Sequence, residues 1–289
     1  MSDAVKYMVT GASGQLGALV IDGLLARVPA GEIGALVRRA EAAAALEAKG
    51  VMVRVADYGD RAALEAAFAG VARLLLVSSN EIGQRAVQHA NAIAAAEAAG
   101  VGFVAYTSIL KADTSPLTVL PGEHLDTETA LAASGLDYAV LRNGWYTENY
   151  AASIPAALAQ GALIGAAGAG RISSAARRDY ADAAVAVLTG DLPARGTVYE
   201  LAGDTSYTLS EFAEALAEVS GQPVAYRDLG EAGFEQALIG AGLPGPVARM
   251  LADSDAGAAQ GGLFSEDRTL SRLIGRASTP PQDVIRAAL

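Results

Sequence analysis

The feature that most constrains this chain is a glycine-rich segment near its N-terminus, Gly11-Ala12-Ser13-Gly14-Gln15-Leu16-Gly17. An apolar run over residues 6–10 precedes it, and a helical pattern over residues 15–27 follows it. A strand, a glycine-rich turn and a helix in this order predict a phosphate-binding loop, because the N–H groups at a helix N-terminus attract an anion. We therefore expect a dinucleotide to contact Gly11, Ser13, Gly14, Gln15 and Leu16.

The three glycines of this loop have different expected roles. Gly11 would permit a tight turn, Gly14 would let the backbone approach a pyrophosphate, and Gly17 would let the first helix pack against a sheet. A glycine-rich turn that binds no ligand is the alternative.

Short apolar runs alternate with helical patterns through the first half of the chain. This alternation predicts an α/β fold with a doubly wound parallel sheet of the Rossmann type. The expected strands cover residues 6–10, 33–37, 51–55, 73–77, 102–107 and 137–142, and the expected helices cover 15–27, 40–49, 61–69, 84–99 and 123–133.

The pattern changes after residue 146. Residues 151–170 read as helical and then glycine-rich, and later helices are expected at 179–189 and 210–219, with strands at 198–202 and 223–228. We predict an NADP-binding domain over residues 1–146, which also receives segments near 171–205. Residues 147–289 would mainly form a smaller substrate-binding lobe at the carboxyl edge of the sheet, where open α/β sheets bind ligands.

The end of the second expected strand indicates which dinucleotide binds. Enzymes that prefer NAD usually place an acid there to hold the ribose 2′-hydroxyl, whereas this chain has Val37-Arg38-Arg39. A guanidinium can pair with a 2′-phosphate through two hydrogen bonds. NADP is therefore favoured, with Arg38 as the better candidate. The alternative is that both arginines are solvated surface charges.

Other polar residues follow the expected strands at the same edge. Two polar residues follow the third expected strand and could flank the adenine. Two more polar residues follow each of the fourth and fifth expected strands. Each of these residues could equally cap a helix. The candidates are Asp57, Tyr58, Ser78, Ser79, Thr107 and Ser108.

Composition excludes several classes of function. The formal net charge of −11 argues against nucleic acid and against anionic membranes as partners. The chain has no cysteine and only two histidines, far apart in sequence, so we expect no metal site. The N-terminus lacks the pattern of a signal peptide, and we expect a cytoplasmic protein, either a monomer or a homodimer.

Several short segments together resemble the atypical short-chain dehydrogenases of the NmrA-like group, and within it the bacterial NADPH-dependent quinone reductases. Triphenylmethane dye reductases are close relatives in that group. The resemblance implies a Rossmann domain, a C-terminal substrate lobe, NADPH and reduction of quinones. The segments are Ala56-Asp57-Tyr58-Gly59-Asp60, Gly83-Gln84-Arg85, Ala105-Tyr106-Thr107-Ser108, Ala112-Asp113-Thr114-Ser115-Pro116, Leu141-Arg142-Asn143-Gly144-Trp145-Tyr146, Glu148-Asn149-Tyr150, Leu251-Ala252-Asp253-Ser254-Asp255 and Gly261-Gly262-Leu263-Phe264.

The chain departs from most short-chain dehydrogenases because no tyrosine has a lysine four residues later. In related enzymes the lysine precedes a glutamate that matches Glu128, which puts His124 at the lysine position and Leu120 at the tyrosine position. A ketone that accepts hydride becomes a basic alkoxide and needs a positioned acid. A quinone becomes a delocalised, weakly basic anion, so the missing pair points toward easily reduced acceptors.

Four residues are candidates for contact with the reacting groups. His124 could hold the nicotinamide ribose or donate a proton, and Asn143 could bond the carboxamide or an acceptor oxygen. Trp145 could stack on a flat acceptor and Tyr146 could donate a hydrogen bond. The alternatives are a surface or capping role for His124 and core packing for the other three. His89 is expected to be structural or exposed.

Three functions remain open from the sequence. The leading hypothesis is an NADPH-dependent oxidoreductase that transfers hydride to quinones or similar flat acceptors. The second is an NADP(H)-dependent alcohol dehydrogenase or ketone reductase, which would need His124 or Tyr146 as its acid. The third is an NADP(H)-sensing regulator without catalysis.

Overall fold

The chain divides into two compact units in the computed structural model, which describes residues 5–289. The N-terminal unit contains the chain up to Ser108 together with Glu123–Arg142 and Tyr180–Tyr199. The C-terminal unit contains Ile109–Gly122, Asn143–Asp179 and Glu200–Leu289. Each unit is therefore assembled from separated stretches of the chain.

A seven-stranded sheet has the order β3-β2-β1-β4-β5-β6-β8. The chain runs outward from β1 to β3 and then returns to β4 on the other side of β1. This reversal beside β1 is the switch point at which open α/β sheets bind ligands. The predicted doubly wound Rossmann-type sheet is confirmed. The strands are β1 (Tyr7–Val9), β2 (Ile33–Val37), β3 (Met52–Val55), β4 (Arg73–Leu76), β5 (Phe103–Ile109), β6 (Tyr138–Asn143) and β8 (Thr197–Leu201).

The central strands pair in parallel, as their apolar sequences require. Tyr7 of β1 is in register with Ile33 of β2 and with Arg73 of β4, and β4 continues in parallel with β5. Every residue of β1, β2, β5 and β6 is buried, which is the expected state of a sheet covered on both faces. Gly34 allows close packing here, since a Cβ would lie 2.6 Å from the end of Met8.

The helices follow the predicted alternation, with small differences at their ends. The expected helix over residues 40–49 is shorter than predicted, because residues 40–42 form a single 3₁₀ turn before the helix begins. The remaining helices of the first half cover the predicted segments. They are α1 (Gln15–Leu25), α2 (Ala43–Glu47), α3 (Arg61–Phe68), α4 (Arg85–Ala98) and α5 (Leu120–Ala133).

The prediction that residues 151–170 are helical and then glycine-rich is confirmed in its helical part, but it missed a strand. The helix α6 (Thr147–Ala151) is followed by α7 (Ile154–Gln160), which ends at Gly161 with φ +65°. They are followed by strand β7 (Ala162–Gly165). This strand pairs in parallel with β9 (Ala225–Asp228). Its partner is remote in sequence and the strand has four residues, so periodicity within one short window does not identify it.

The remaining helices lie mainly in the C-terminal unit. A capping box formed by Thr208 and Glu211 begins α9. None of the helices formed by residues 5–289 is both long and apolar enough to cross a membrane. The helices are α8 (Arg177–Thr189), α9 (Leu209–Ser220), α10 (Gly230–Gly240), α11 (Gly245–Ala259), α12 (Thr269–Ile274) and α13 (Pro281–Ala288).

Two aspartates on α11 organise the C-terminal unit. Asp253 accepts hydrogen bonds from the backbone N–H groups of Thr118 at 3.0 Å and Val119 at 3.1 Å. Asp255 accepts hydrogen bonds from the Tyr150 hydroxyl and the Ala166 N–H, each at 2.9 Å. One turn of α11 therefore fixes two segments that are distant in sequence, which gives both aspartates of Leu251-Ala252-Asp253-Ser254-Asp255 a structural role.

Candidate active site

The glycine loop connects β1 to α1 in the N-terminal unit. Gly11 has φ +57°, which confirms the predicted tight turn. The N–H of Ala12 donates to Leu36 O at 3.2 Å and ties the loop to β2. Gly14 is the N-cap of α1 and has no side chain to cap it. The first N–H groups of this helix, beginning at Gln15, therefore face outward as donors for an anion.

Gly17 is required by the loop itself, and not by the sheet as predicted. A Cβ at this position would lie 2.3 Å from Gly11 O and 2.9 Å from Ala12 Cα. The first turn of α1 thus lies against the loop backbone with no space for a side chain. Ser13 and Gln15 are exposed and Leu16 is buried. This tight backbone cradle fits a pyrophosphate, so the residues present suit a dinucleotide.

Arg38 follows β2 directly, with an exposed guanidinium. Its Nη1 pairs with Glu81 Oε1, an acid on the loop after β4. The other carboxylate oxygen of Glu81 accepts a hydrogen bond from Gln88 Nε2 at 2.6 Å. Glu81 was not among the residues predicted from the sequence. Its position five residues after the end of β4 was the available signal.

Asp57 and Tyr58 use their polar atoms within the protein. Asp57 Oδ1 accepts the N–H of Gly59 at 2.7 Å, which forms a local turn. The Tyr58 hydroxyl donates to Val77 O at 2.8 Å and also contacts Thr10 Oγ1. Burial raises the pKa of Tyr58 above its ordinary value, so the phenol stays protonated. Contact of this pair with adenine stays a prediction.

A buried histidine anchors the loop after β4. The N–H of Ser79 donates to His89 Nε2 at 2.9 Å, so Nδ1 carries the ring proton and donates to Thr127 Oγ1 at 2.9 Å. Arg85 Nε donates to Ser79 O at 2.9 Å. Burial, followed by the charge of Arg85, lowers the pKa of His89 to about 3. The interpretation of His89 as structural agrees with these bonds.

Two further predicted site residues form hydrogen bonds inside the N-terminal unit. Thr107 is buried, and its Oγ1 accepts the N–H of Ser78 at 2.9 Å. The Ser108 hydroxyl donates to Glu128 Oε1 at 2.6 Å. The same carboxylate accepts two hydrogen bonds from Arg142, at 3.0 and 2.7 Å. Glu128 therefore fixes the end of β5 to β6, and the Ser108 hydroxyl is already engaged.

His124 is buried and is not the surface or capping residue of the alternative interpretation. Its Nδ1 lies 2.7 Å from the hydroxyl of Tyr106 on β5. Burial, and then the charges of Arg85 and His89, hold the pKa of His124 well below its ordinary value. The imidazole is therefore neutral at physiological pH. Tyr106 lies 18 residues before His124, a spacing that gives no signal of this contact in the sequence.

Asn143, Trp145 and Tyr146 lie in the C-terminal unit. Asn143 hydrogen-bonds the Tyr146 hydroxyl. Its Oδ1 is buried and has no hydrogen-bond partner within residues 5–289. Trp145 is buried, and one face of the half-buried Tyr146 ring lies 4.7 Å from the Arg177 guanidinium. A buried free acceptor at Asn143 suits a ligand that donates an N–H or O–H.

A model of the NAD(P)H-binding family matches residues 11–191. The chain belongs to this family. Quinone oxidoreductase 2 of Escherichia coli (strain K12) is 57% identical over 271 residues, which cover 94% of each chain. The crystal structure of the E. coli NADPH-dependent quinone oxidoreductase complexed with NADPH has a TM-score of 0.94 at 55% identity and covers 97% of this chain and 99% of that one.

A second group of relatives acts on dyes. The structure of Citrobacter sp. triphenylmethane reductase complexed with NADP(H) has a TM-score of 0.93 at 37% identity. It covers 98% of this chain and 100% of that chain. The resemblance found in the sequence, to quinone reductases and triphenylmethane reductases, is confirmed.

Proposed function

We propose that this protein is an NADPH-dependent oxidoreductase that reduces quinones or similar flat, electron-poor acceptors. The observation that carries the proposal is the likeness to quinone oxidoreductase 2, at 57% identity over 94% of both chains. Likeness of this extent includes the segments of the C-terminal unit as well as the glycine loop. A regulator that only binds a nucleotide has no need to keep both.

The N-terminal unit is proposed to hold the cofactor. The N–H groups at the start of α1 bind the pyrophosphate in the cradle that Gly17 leaves open, and the Arg38 guanidinium binds the 2′-phosphate. Bound NADPH supplies the hydride that the acceptor receives. The side chains of Ser79 and Thr107 already accept hydrogen bonds from backbone N–H groups of the protein. Their proposed role is therefore to fix the conformation of the loop at the sheet edge.

His124 is proposed to position a bound group and not to supply a proton. A neutral imidazole with a strongly lowered pKa is a poor source of a proton at physiological pH. The Tyr106 hydroxyl occupies Nδ1, which leaves Nε2 of the neutral ring to hydrogen-bond a bound group. An acceptor whose reduced anion is weakly basic requires only a hydrogen bond from the protein and not a proton. The chemistry of the site therefore favours quinones over simple ketones.

The C-terminal unit, which begins again at Asn143 at the end of β6, is proposed to contact the acceptor. Asn143 Oδ1 accepts a hydrogen bond from a donor on the ligand, and the exposed part of Tyr146 contributes a contact. The burial of Trp145 favours a packing role over direct stacking. These assignments keep Asn143 and Tyr146 as site residues and give Trp145 a supporting role.

Steady-state oxidation of NADPH with a simple naphthoquinone, and in parallel with an aliphatic ketone, tests the activity. We expect turnover with the quinone and none with the ketone. Absence of oxidation above the protein-free background contradicts the proposal. Ketone turnover at a comparable rate favours the alcohol dehydrogenase hypothesis, and tight NADPH binding without any turnover favours a sensor.

Two adjacent arginines offer a matched test of the cofactor assignment. Arg38→Ala should raise KM for NADPH by about ten-fold to a hundred-fold, since a charged hydrogen-bonded contact contributes about 1.5–3 kcal/mol. It should leave KM for NADH within about two-fold. Arg39→Ala removes the same charge from the next exposed residue and should change neither value. Equal effects of both variants would point to general electrostatic attraction instead.

A further inference from the structure

The arginine assigned to the 2′-phosphate already has an acidic partner. Arg38 Nη1 pairs with Glu81 Oε1, and the two side chains are 55% and 41% exposed. Glu81 comes from the loop after β4 and not from the end of β2, where an NAD-preferring site usually carries its acid. One place on the N-terminal unit therefore presents both a cation and an anion to the adenosine ribose.

Hydrogen bonds to both the side chain and the backbone of Glu81 fix its position. Gln88 Nε2 donates to its Oε2 at 2.6 Å, and its own N–H donates to Ser79 Oγ at 3.2 Å. The loop is anchored before it by the bond from Ser79 N–H to His89, and after it by the bond from Gly83 N–H to Glu123 at 2.7 Å. The carboxylate is thus a fixed part of the site and not a mobile surface group.

We propose that Glu81 is a second determinant of cofactor specificity, which limits the preference for NADPH over NADH. Its carboxylate competes with the 2′-phosphate for the Arg38 guanidinium and repels that phosphate. It also accepts a hydrogen bond from the 2′-hydroxyl of NADH, the role that an acid serves in NAD-preferring sites. This inference rests on the proposed function only in placing the ribose beside Arg38.

The size of the effect follows from Coulomb's law. If the carboxylate and a doubly charged phosphate are about 6 Å apart, in surroundings close to water, their repulsion changes the dissociation constant by about ten-fold. Salt in the buffer, with a Debye length of about 8–10 Å, reduces this to about three-fold to four-fold. Because both side chains are partly exposed, a larger effect is not expected.

Glu81→Gln removes the charge and keeps the size of the side chain. Isothermal titration without any acceptor measures the dissociation constants of NADP⁺ and NAD⁺. We expect the dissociation constant of NADP⁺ to fall by about three-fold to four-fold and that of NAD⁺ to rise, so that their ratio changes in favour of NADP⁺ by at least about three-fold. Raising the salt concentration should reduce the difference between variant and wild type. A smaller change in the ratio, or a change in the opposite direction, overturns the inference.

Glu65→Gln is the matched control. Glu65 also pairs with an arginine, Arg61, at 2.8 Å and has a side chain 39% exposed, but it lies on α3. This variant should leave the ratio of the two dissociation constants unchanged, whereas an equal shift would mean that net charge alone acts.

The binding assay separates the two proposals. Wild type that binds NADP⁺ without reducing a quinone contradicts the proposed function alone, and an unaltered ratio in Glu81→Gln contradicts the role of Glu81 alone. A wild-type chain that binds neither nucleotide contradicts both.

Discussion

Replacement of Gly17 by alanine tests whether the backbone cradle of the glycine loop is the cofactor site. The added Cβ would lie 2.3 Å from Gly11 O, 2.8 Å from Gly11 C and 2.9 Å from Ala12 Cα, while ordinary contact begins at 3.4 Å. All three atoms belong to the backbone, so no side chain can rotate away. The loop and the first turn of α1 must therefore separate by about 1 Å.

Two energetic effects of Gly17→Ala oppose each other. Overpacking of this kind costs about 1–3 kcal/mol, and alanine in a helix regains about 1 kcal/mol relative to glycine. We expect a net loss of about 1 kcal/mol in the free energy of unfolding. The effect on binding should be larger, because a 1 Å displacement misaligns the N–H groups that face the pyrophosphate. Loss of one or two such bonds raises the dissociation constant of NADPH by about ten-fold to a hundred-fold.

Urea unfolding and a fluorescence titration with NADPH measure the two effects separately. Gly31→Ala is the matched control, since a Cβ there meets nothing within 4 Å. It should change neither quantity by a measurable amount. If Gly17→Ala binds NADPH as tightly as Gly31→Ala does, the cradle is not the pyrophosphate site and the reasoning fails.

Three further predictions concern buried polar groups. His124→Gln keeps an N–H donor and should retain kcat/KM for the quinone within about five-fold with an unchanged pH profile, whereas a new pH dependence would reveal a proton donor. Burial raises the pKa of Asp255 to about 6 from an ordinary value of 3.8. The free energy of unfolding of wild type should therefore fall relative to that of Asp255→Asn as the pH rises from about 4 to 7. The difference should change by up to about 3 kcal/mol, which urea unfolding of both proteins at each pH can measure. Glu128→Gln leaves the Arg142 guanidinium facing a neutral amide and should lower the unfolding free energy by about 3–5 kcal/mol. The exposed pair variant Glu65→Gln should lower it by less than about 1 kcal/mol, and an equal loss in the two variants would contradict the importance of burial.

Patterns within short stretches of the chain predicted most of the sheet. The runs that became β2 and α3 were predicted to within one residue at each end, because apolar periodicity is a local signal. Strand β7 was missed for the opposite reason. Its four residues become a strand only by pairing with β9, which lies some sixty residues later in the sequence.

The sequence by itself predicted the cofactor class and the type of acceptor. The glycine loop and Arg38 indicate the cofactor class, and the absence of a tyrosine–lysine pair indicates the type of acceptor. Both predictions depend on residues at fixed spacing in the chain. Only the tertiary structure decided the state of His124 and the partner of Arg38. The lowered pKa of His124 comes from burial and from Arg85, which is 39 positions away in the chain. Glu81 reaches Arg38 because β4 and β2 flank β1, and the order of strands in a sheet is a long-range property that no local pattern contains.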